Sequence, residues 1–343
     1  MKRYISVDAG KFGTKSAEYL KEKDGIRKSM FETKVSPGDF RDDALEANTQ
    51  LVEYNGTVYK SGHGAAGSGA ELETSKQSEV HLLSTLTAIS KFCSDNEADE
   101  ISLAVGLPAK EWAVVEKRES FKKFFPREEQ TIRVKSSSTG EIKTKKFTIK
   151  RLSAYPESMG AMWQDDSPKV DDLSITGILD IGNLNLNATI WQNVELIQDE
   201  SITDELGAAT LIAGLAQELS ANFSRVNERY VASLLGKSPE FRYLPGSTEV
   251  QKSSHELIHR YLLEHAGKIK RCCDARRWSL DYMNLIAIGG TSQILKAELK
   301  EVFGGNLKLL ENPVFANAFG YLRLMCSQIP EIRKEIPLKE VEP

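Results

Sequence analysis

The chain has 343 residues, 40% of them hydrophobic, which is enough apolar material for two cores of ordinary domain size and too much for one small module. Its 45 basic and 49 acidic side chains leave a formal charge of -4, which excludes a global pull toward nucleic acid or anionic lipid, so a DNA partner requires a local patch or an adaptor. Four cysteines without Cys-x-x-Cys spacing point to a reduced interior, and no signal-peptide stretch or run of about 18 apolar residues occurs, so a soluble cytoplasmic protein with no membrane partner is expected.

Tyr4–Val7 reads as a short buried strand, because β-branched and aromatic residues run straight into a glycine-bearing turn. That turn, Asp8-Ala9-Gly10-Lys11-Phe12-Gly13-Thr14-Lys15, suits a phosphate. Its glycines let main-chain N–H groups approach, Thr14 and Lys15 add donors and charge, and Asp8 stands where a carboxylate holds hydrated magnesium. It is not a Walker A loop, since threonine follows Gly13 where lysine is required. An ordinary strand turn with a capping aspartate explains the segment equally well by itself.

Leu51–Tyr54 and Thr57–Tyr59 flank Asn55-Gly56, a hairpin signal because both turn positions take positive φ. Gly62-His63-Gly64-Ala65-Ala66-Gly67 matches a dinucleotide fingerprint literally, but it follows a hairpin and precedes glutamates instead of an apolar helix, so no such site is expected. Apolar residues from Val80 to Phe92 recur at helical spacing. Ile101–Leu107 reads as a strand stopped by Pro108, and the lysine- and serine-rich run 133–146 as a solvated hairpin or loop rather than a nucleic-acid patch.

The second half repeats the opening theme. Gly177–Gly182 is a strand leading through Asp180 into the polar turn Gly182-Asn183-Leu184-Asn185, with Ala188–Trp191 as hairpin partner. Two carboxylates facing one phosphate chain would repel it unless a divalent cation lay between them, which brings magnesium into the reading. Helices are predicted over 206–219, 228–235, 254–273 and 292–302. Leu285–Ile288 is an apolar strand ending at Gly289-Gly290-Thr291, where bare backbone can lie against a base or sugar. Glu311-Asn312-Pro313 breaks the chain before a helix over 314–326, and the charged tail 333–343 is expected to fray. His255 and His259 share a helical face but lack a third ligand, so no zinc site is expected.

In this order, the three glycine-bearing segments resemble the two phosphate loops and adenosine loop of the actin, Hsp70 and sugar-kinase superfamily. Within it, Arg151–Ala161 with its Pro156-Glu157-Ser158, Glu311–Leu322 with its Glu-Asn-Pro, Ala-Asn and Gly-Tyr elements, and Leu103–Pro108 resemble the ParM-like plasmid-segregation actins. The resemblance implies an α/β, actin-like ATPase fold with two RNase H-like domains flanking a nucleotide cleft. Domain I would span 1–168, completed by the C-terminal helix 315–343, and domain II 169–314. It implies ATP, or GTP in its place, with magnesium on Asp8 and Asp180, and Glu157 as the carboxylate that polarises the attacking water. A helix N-terminus with an acidic first turn is the plainer account of Glu157.

Nucleotide contacts are implied for Gly10, Lys11, Phe12, Gly13, Thr14, Lys15, Gly182, Asn183, Leu184, Asn185, Gly289, Gly290 and Thr291. Lys268 and Arg271 occupy the region of the base pocket, although a solvated basic helix end describes them as well. The implied function is self-assembly into a dynamic helical filament that segregates plasmid DNA, partnered by a DNA-binding adaptor on centromere-like DNA, with no direct nucleic-acid contact. The alternative on the same fold is a soluble sugar or small-molecule kinase, for which the sequence shows no sugar-binding constellation. A monomeric chaperone-type switch is disfavoured because the chain given has no peptide-binding domain after residue 343.

Overall fold

The computed structural model describes residues 1–66, 69, 75–138, 140–164, 174–193, 195–332 and 336–341. The chain divides into two units, the first made of Met1–Asp165 and Phe315–Pro343, the second of Asp166–Val314.

In the first unit the strands are β1 (Lys2–Ala9), β2 (Gly13–Leu20), β3 (Gly25–Glu32), β4 (Val35–Pro37), β5 (Thr49–Tyr54), β6 (Thr57–Gly62), β7 (Ala98–Leu107), β8 (Gln130–Ser136) and β9 (Ile142–Pro156). Among the described residues they form one sheet in the order β3-β2-β1-β7-β9-β8-β5-β6-β4. Helix α1 (Glu79–Ser90) and the short α2 (Ala109–Trp112) and α3 (Val115–Lys123) accompany them. From Arg3 to Ala9 every residue of β1 is buried, as a central strand covered on both faces requires. Alternation then sorts its side chains: Ile5 and Val7 pack with Leu86 and Ile89 of α1, while Tyr4 packs on the opposite face. Each fully buried aliphatic side chain of this kind contributes about 1.5–3 kcal/mol. The predicted Asn55-Gly56 turn joins β5 to β6 with φ of 51° and 76°. The basic run is the β8–β9 hairpin, its Lys145 tied to Asp95 and the Cys93 carbonyl.

The second unit holds β10 (Ile175–Ile181), β11 (Leu186–Gln192), β12 (Glu195–Asp204), β13 (Asn284–Ile288) and β14 (Leu307–Leu309), ordered β12-β11-β10-β13-β14 among the described residues. Helices α4 (Ala208–Asn222), α5 (Glu228–Leu235), α6 (Thr248–Ala275), α7 (Gly290–Ile294) and α8 (Lys296–Phe303) belong to it. Leu179, Ile181 and Ala287 from the sheet share a core with Leu211 and Leu215 of α4, Ile258 and Leu262 of α6, and Leu299 of α8. The single helix expected over 292–302 is two helices, because the chain leaves helical geometry at Leu295, φ -93° and ψ 15°, a buried residue that anchors the bend in this core. Trp191 is core, 1% exposed, with its indole N–H donated to Thr189 Oγ1.

The chain re-enters the first unit in α9 (Ala316–Ser327), which supplies Phe319, Tyr321 and Leu322 to the core that receives Tyr4. The tail differs from expectation over its described residues. Ile336 is buried, its carbonyl accepts from the Arg323 guanidinium, and Val341 N–H donates to Ile26 O beside β3. A cluster of charges fails to fray where its apolar neighbours find a core and its backbone a sheet edge. No described helix is long and apolar enough to cross a membrane.

The two sheets repeat one pattern. In β3-β2-β1-β7-β9 and in β12-β11-β10-β13-β14, the first three strands form an antiparallel meander, and the remaining two add in parallel to the meander's first strand.

Candidate functional site

The repetition extends to single residues at the hairpin of each meander. In the first unit Asp8 pairs across the ladder with Lys15, and Gly10 N–H donates to Gly13 O at 3.2 Å. In the second, Asp180 pairs with Asn187, and Gly182 N–H donates to Asn185 O at 2.9 Å. Each turn thus closes across its strands through a glycine N–H, which in the first turn also reaches Asp8 O at 3.1 Å, and carries an aspartate two residues before that glycine. Among the described residues, the main-chain N–H groups at the tips, Lys11 and Phe12 in one turn and Asn183 and Leu184 in the other, have no main-chain partner. Such donors are what a phosphate oxygen accepts from.

Around the first turn, a Cβ on Gly10 would stand 3.3 Å from Lys15 Nζ, so the ammonium lies folded over the loop. Lys11 is exposed and Phe12 is 45% exposed at the tip. Thr14 departs from the expectation that its hydroxyl adds a donor. It is wholly buried and its Oγ1 is 2.9 Å from Thr33 Oγ1, because strand alternation turns it inward while Lys15 turns the other way.

The second turn is fastened from behind. Gly182 O accepts from Ala208 N–H at 3.2 Å and from the Thr291 hydroxyl at 2.6 Å. Asn183 O accepts from Ala209 N–H at 2.8 Å and Leu184 O from Gly207 N–H at 3.1 Å. With its carbonyls committed, the loop keeps its N–H edge for a ligand. Gly207 is required here, since a Cβ would meet Asn183 O at 2.4 Å. Gly289 is required likewise: φ is +88°, and a Cβ would meet Ile181 O at 2.3 Å and Asp180 Oδ1 at 2.9 Å. Asp180, Gly182–Asn185 and Gly289–Thr291 therefore form one group. Lys268 and Arg271 lie on α6, whose His265 Nε2 is 3.2 Å from Leu206 O, but among the described residues no hydrogen bond or ion pair joins either to the loop.

Glu157 belongs to the first unit's group. Strand β9 ends at Pro156, and Glu157 N–H still donates to Leu107 O at 2.8 Å, continuing the β7 pairing. Ser158 then takes φ +72°, a left-handed conformation that costs a residue with a side chain of order 1–3 kcal/mol. Asn317 of α9 offsets this by accepting Ser158 N–H at 3.1 Å. Next to it, Gly160 and Gly320 touch backbone to backbone, and Tyr321 closes against Gly106, where a Cβ would lie 2.8 Å from its ring. The Gly106-Leu107, Pro156-Glu157-Ser158 and Asn317–Tyr321 segments, distant in sequence, are one packed crossing.

Two side chains, one paired with Glu157 and one near Asp8, were not anticipated. Lys76, 8% exposed, places Nζ 2.5 Å from Glu157 Oε1 and 3.7 Å from Asp8 Oδ1. His81 of α1, 4% exposed, bonds Ser78 through Nδ1, while its buried Nε2 has no hydrogen-bond partner among the described residues. Burial first, then the positive charges of Lys76 and Lys11, hold its imidazole down to about 3, so it is neutral. Neither residue sits in a recognisable motif. Gly207 left only a faint signal, a glycine just before a helical period.

Comparison with known proteins matches residues 6–160 to the family model described as actin like proteins N terminal domain. A comparison with curated proteins found no match. Among solved structures, the Alp12 filament structure is 20% identical, aligned over 95% of this chain and 99% of that one, with a TM-score of 0.73. The archaeal actin homologue Ta0583 in complex with ADP is 17% identical over 93% and 98%, TM-score 0.69. The 15-stranded ParM filament from Clostridium botulinum is 16% identical over 94% and 99%, TM-score 0.67. This chain therefore carries an actin-like N-terminal domain and has the actin-like ATPase fold, with ParM and Alp filament proteins among its structural neighbours.

Proposed function

We propose that this chain is a cytoplasmic actin-like ATPase that binds Mg-ATP, polymerises into dynamic filaments and moves plasmid DNA through a DNA-binding adaptor. The observation that carries the reading is the pair of hairpin turns in matching register, each with an aspartate and a self-closed glycine turn, Asp8 to Gly13 and Asp180 to Asn185. Each turn offers main-chain donors suited to a nucleotide phosphate. The ADP complex of one structural neighbour and the filament structures of two others support the same reading.

Asp8 and Asp180 are carboxylates at strand ends, the donor chemistry a divalent cation takes, and Asp8 already attracts a cationic side chain. Asp8 and Asp180 would hold magnesium, which supplies positive charge to the phosphates when bound. Lys15, folded over the first turn, adds to that charge, and the N–H groups of Lys11, Phe12, Asn183 and Leu184 orient the phosphate chain. Glu157, fixed between Leu107 and the strained Ser158, orients a water for attack on the terminal phosphate. Gly289 and Gly290 offer the side-chain-free surface for the adenosine, with Lys268 and Arg271 nearer the base.

The direct test follows light scattering by the purified chain on addition of Mg-ATP at several protein concentrations, with electron microscopy of the product. A nucleotide-dependent rise with filaments is expected. Scattering that never changes with nucleotide refutes the filament reading, and phosphate release stimulated by a sugar at low protein concentration would replace it with the kinase.

A further inference from the structure

The acid pair at the first turn already has a cation of the chain's own. Lys76 lies on the segment that leads into α1, outside every motif that marks the loops, yet it is nearly fully buried, and its ammonium stands 2.5 Å from Glu157 Oε1 and within ion-pair range of Asp8 Oδ1 at 3.7 Å. A lysine seldom gives up its hydration without a partner of this kind, and two carboxylates in a site this closed repel unless something positive stands between them. The neighbouring His81 is not that cation: it is neutral and its own surroundings are cationic.

We propose that Lys76 is a built-in counter-ion that holds Asp8 and Glu157 in place before nucleotide arrives, and that it and the incoming divalent cation are alternative neutralisers of the same negative charge. It acts as a positioning residue. In the metal-free chain it keeps Glu157 engaged, and arrival of the metal with the nucleotide frees Glu157 to take its water. Hydrolysis is thereby tied to a complete Mg-nucleotide. The inference rests on the reading of Asp8 and Glu157 given above, but its test uses no nucleotide, so the two fail separately.

The experiment measures thermal unfolding of the nucleotide-free protein in EDTA and in millimolar magnesium, with ionic strength matched by sodium so that screening is constant. The proteins are the parent, Lys76→Met, Glu157→Gln and the double variant. The parent should melt at the same temperature in both buffers. Lys76→Met should melt on the order of 10 °C lower in EDTA, since the buried Asp8 and the half-buried Glu157 lose their partner, and magnesium should restore at least half of the loss. The double variant, with one carboxylate gone, should fold without magnesium and melt close to Glu157→Gln. The proposal is overturned if Lys76→Met responds to magnesium no more than the parent does, or if the double variant is as destabilised in EDTA as Lys76→Met. If Lys76→Met does not fold in EDTA, recovery of a folded double variant supports the proposal and its absence refutes it.

Discussion

Replacing Gly320 with alanine probes the closest main-chain approach around Glu157. A Cβ at this position would stand 2.1 Å from Gly160 O, 2.3 Å from Gly160 Cα and 2.5 Å from its carbonyl carbon. All three are backbone atoms, so no rotamer change relieves the clash, and α9 must lift by roughly 1 Å from the Met159–Trp163 segment to restore van der Waals contact. Overpacking costs about 1–3 kcal/mol when side chains can adjust; with backbone on both sides the upper figure applies, about 3 kcal/mol. At about 2–4 °C per kcal/mol for a unit of this size, the melting temperature should fall by roughly 6–12 °C. The lift also draws Asn317 away from Ser158 N–H, loosening the left-handed residue that holds Glu157, so phosphate release should fall as well. Calorimetry and a phosphate-release assay read the two effects. Gly305→Ala is the control, because a Cβ there meets nothing within 4 Å. A Gly320→Ala protein melting within about 1 °C of the parent would refute the packing argument.

Glu157→Ala should abolish steady phosphate release while leaving ATP-driven assembly intact, giving long-lived filaments by sedimentation; hydrolysis at the parent rate would remove Glu157 from its role. His81 gives a pH dependence. Its folded value lies near 3, below the ordinary 6.5, so between those two values the unfolded chain binds a proton that the folded chain refuses. Stability should therefore rise with pH across this window and level off above 6.5, with the His81 contribution costing about 2 kcal/mol at pH 5. Urea unfolding of His81→Gln should show a flatter profile over pH 5 to 7, and an unchanged slope would assign the dependence elsewhere.

Local physics explains why much of the fold is legible in the sequence. The Asn55-Gly56 turn demands positive φ that few other pairs tolerate, the apolar run Leu285–Ile288 is too short for a helix and too continuous for a surface strand, and α5 follows a clear helical period. Where several elements compete, the reading weakened. The meander strand β12 is half exposed and lacks alternation, and the break at Leu295 is set by packing rather than by proline or glycine. Thr14 shows the same limit at the site: a hydroxyl in a phosphate-like string reads as a donor, yet strand register spends it on Thr33.

By itself the sequence determined the character of many segments, including the two strand-aspartate-glycine turns and the actin-like resemblance, because turn chemistry and hydrophobic period act over a few residues. Only the tertiary structure decided which distant groups meet: Lys76 with Glu157 and Asp8, Gly207 and Thr291 with the Gly182 turn, Gly160 with Gly320. Those meetings are fixed by how strands order themselves in a sheet and how closely backbones pack, and nothing local in the chain encodes the identity of a neighbour from another element.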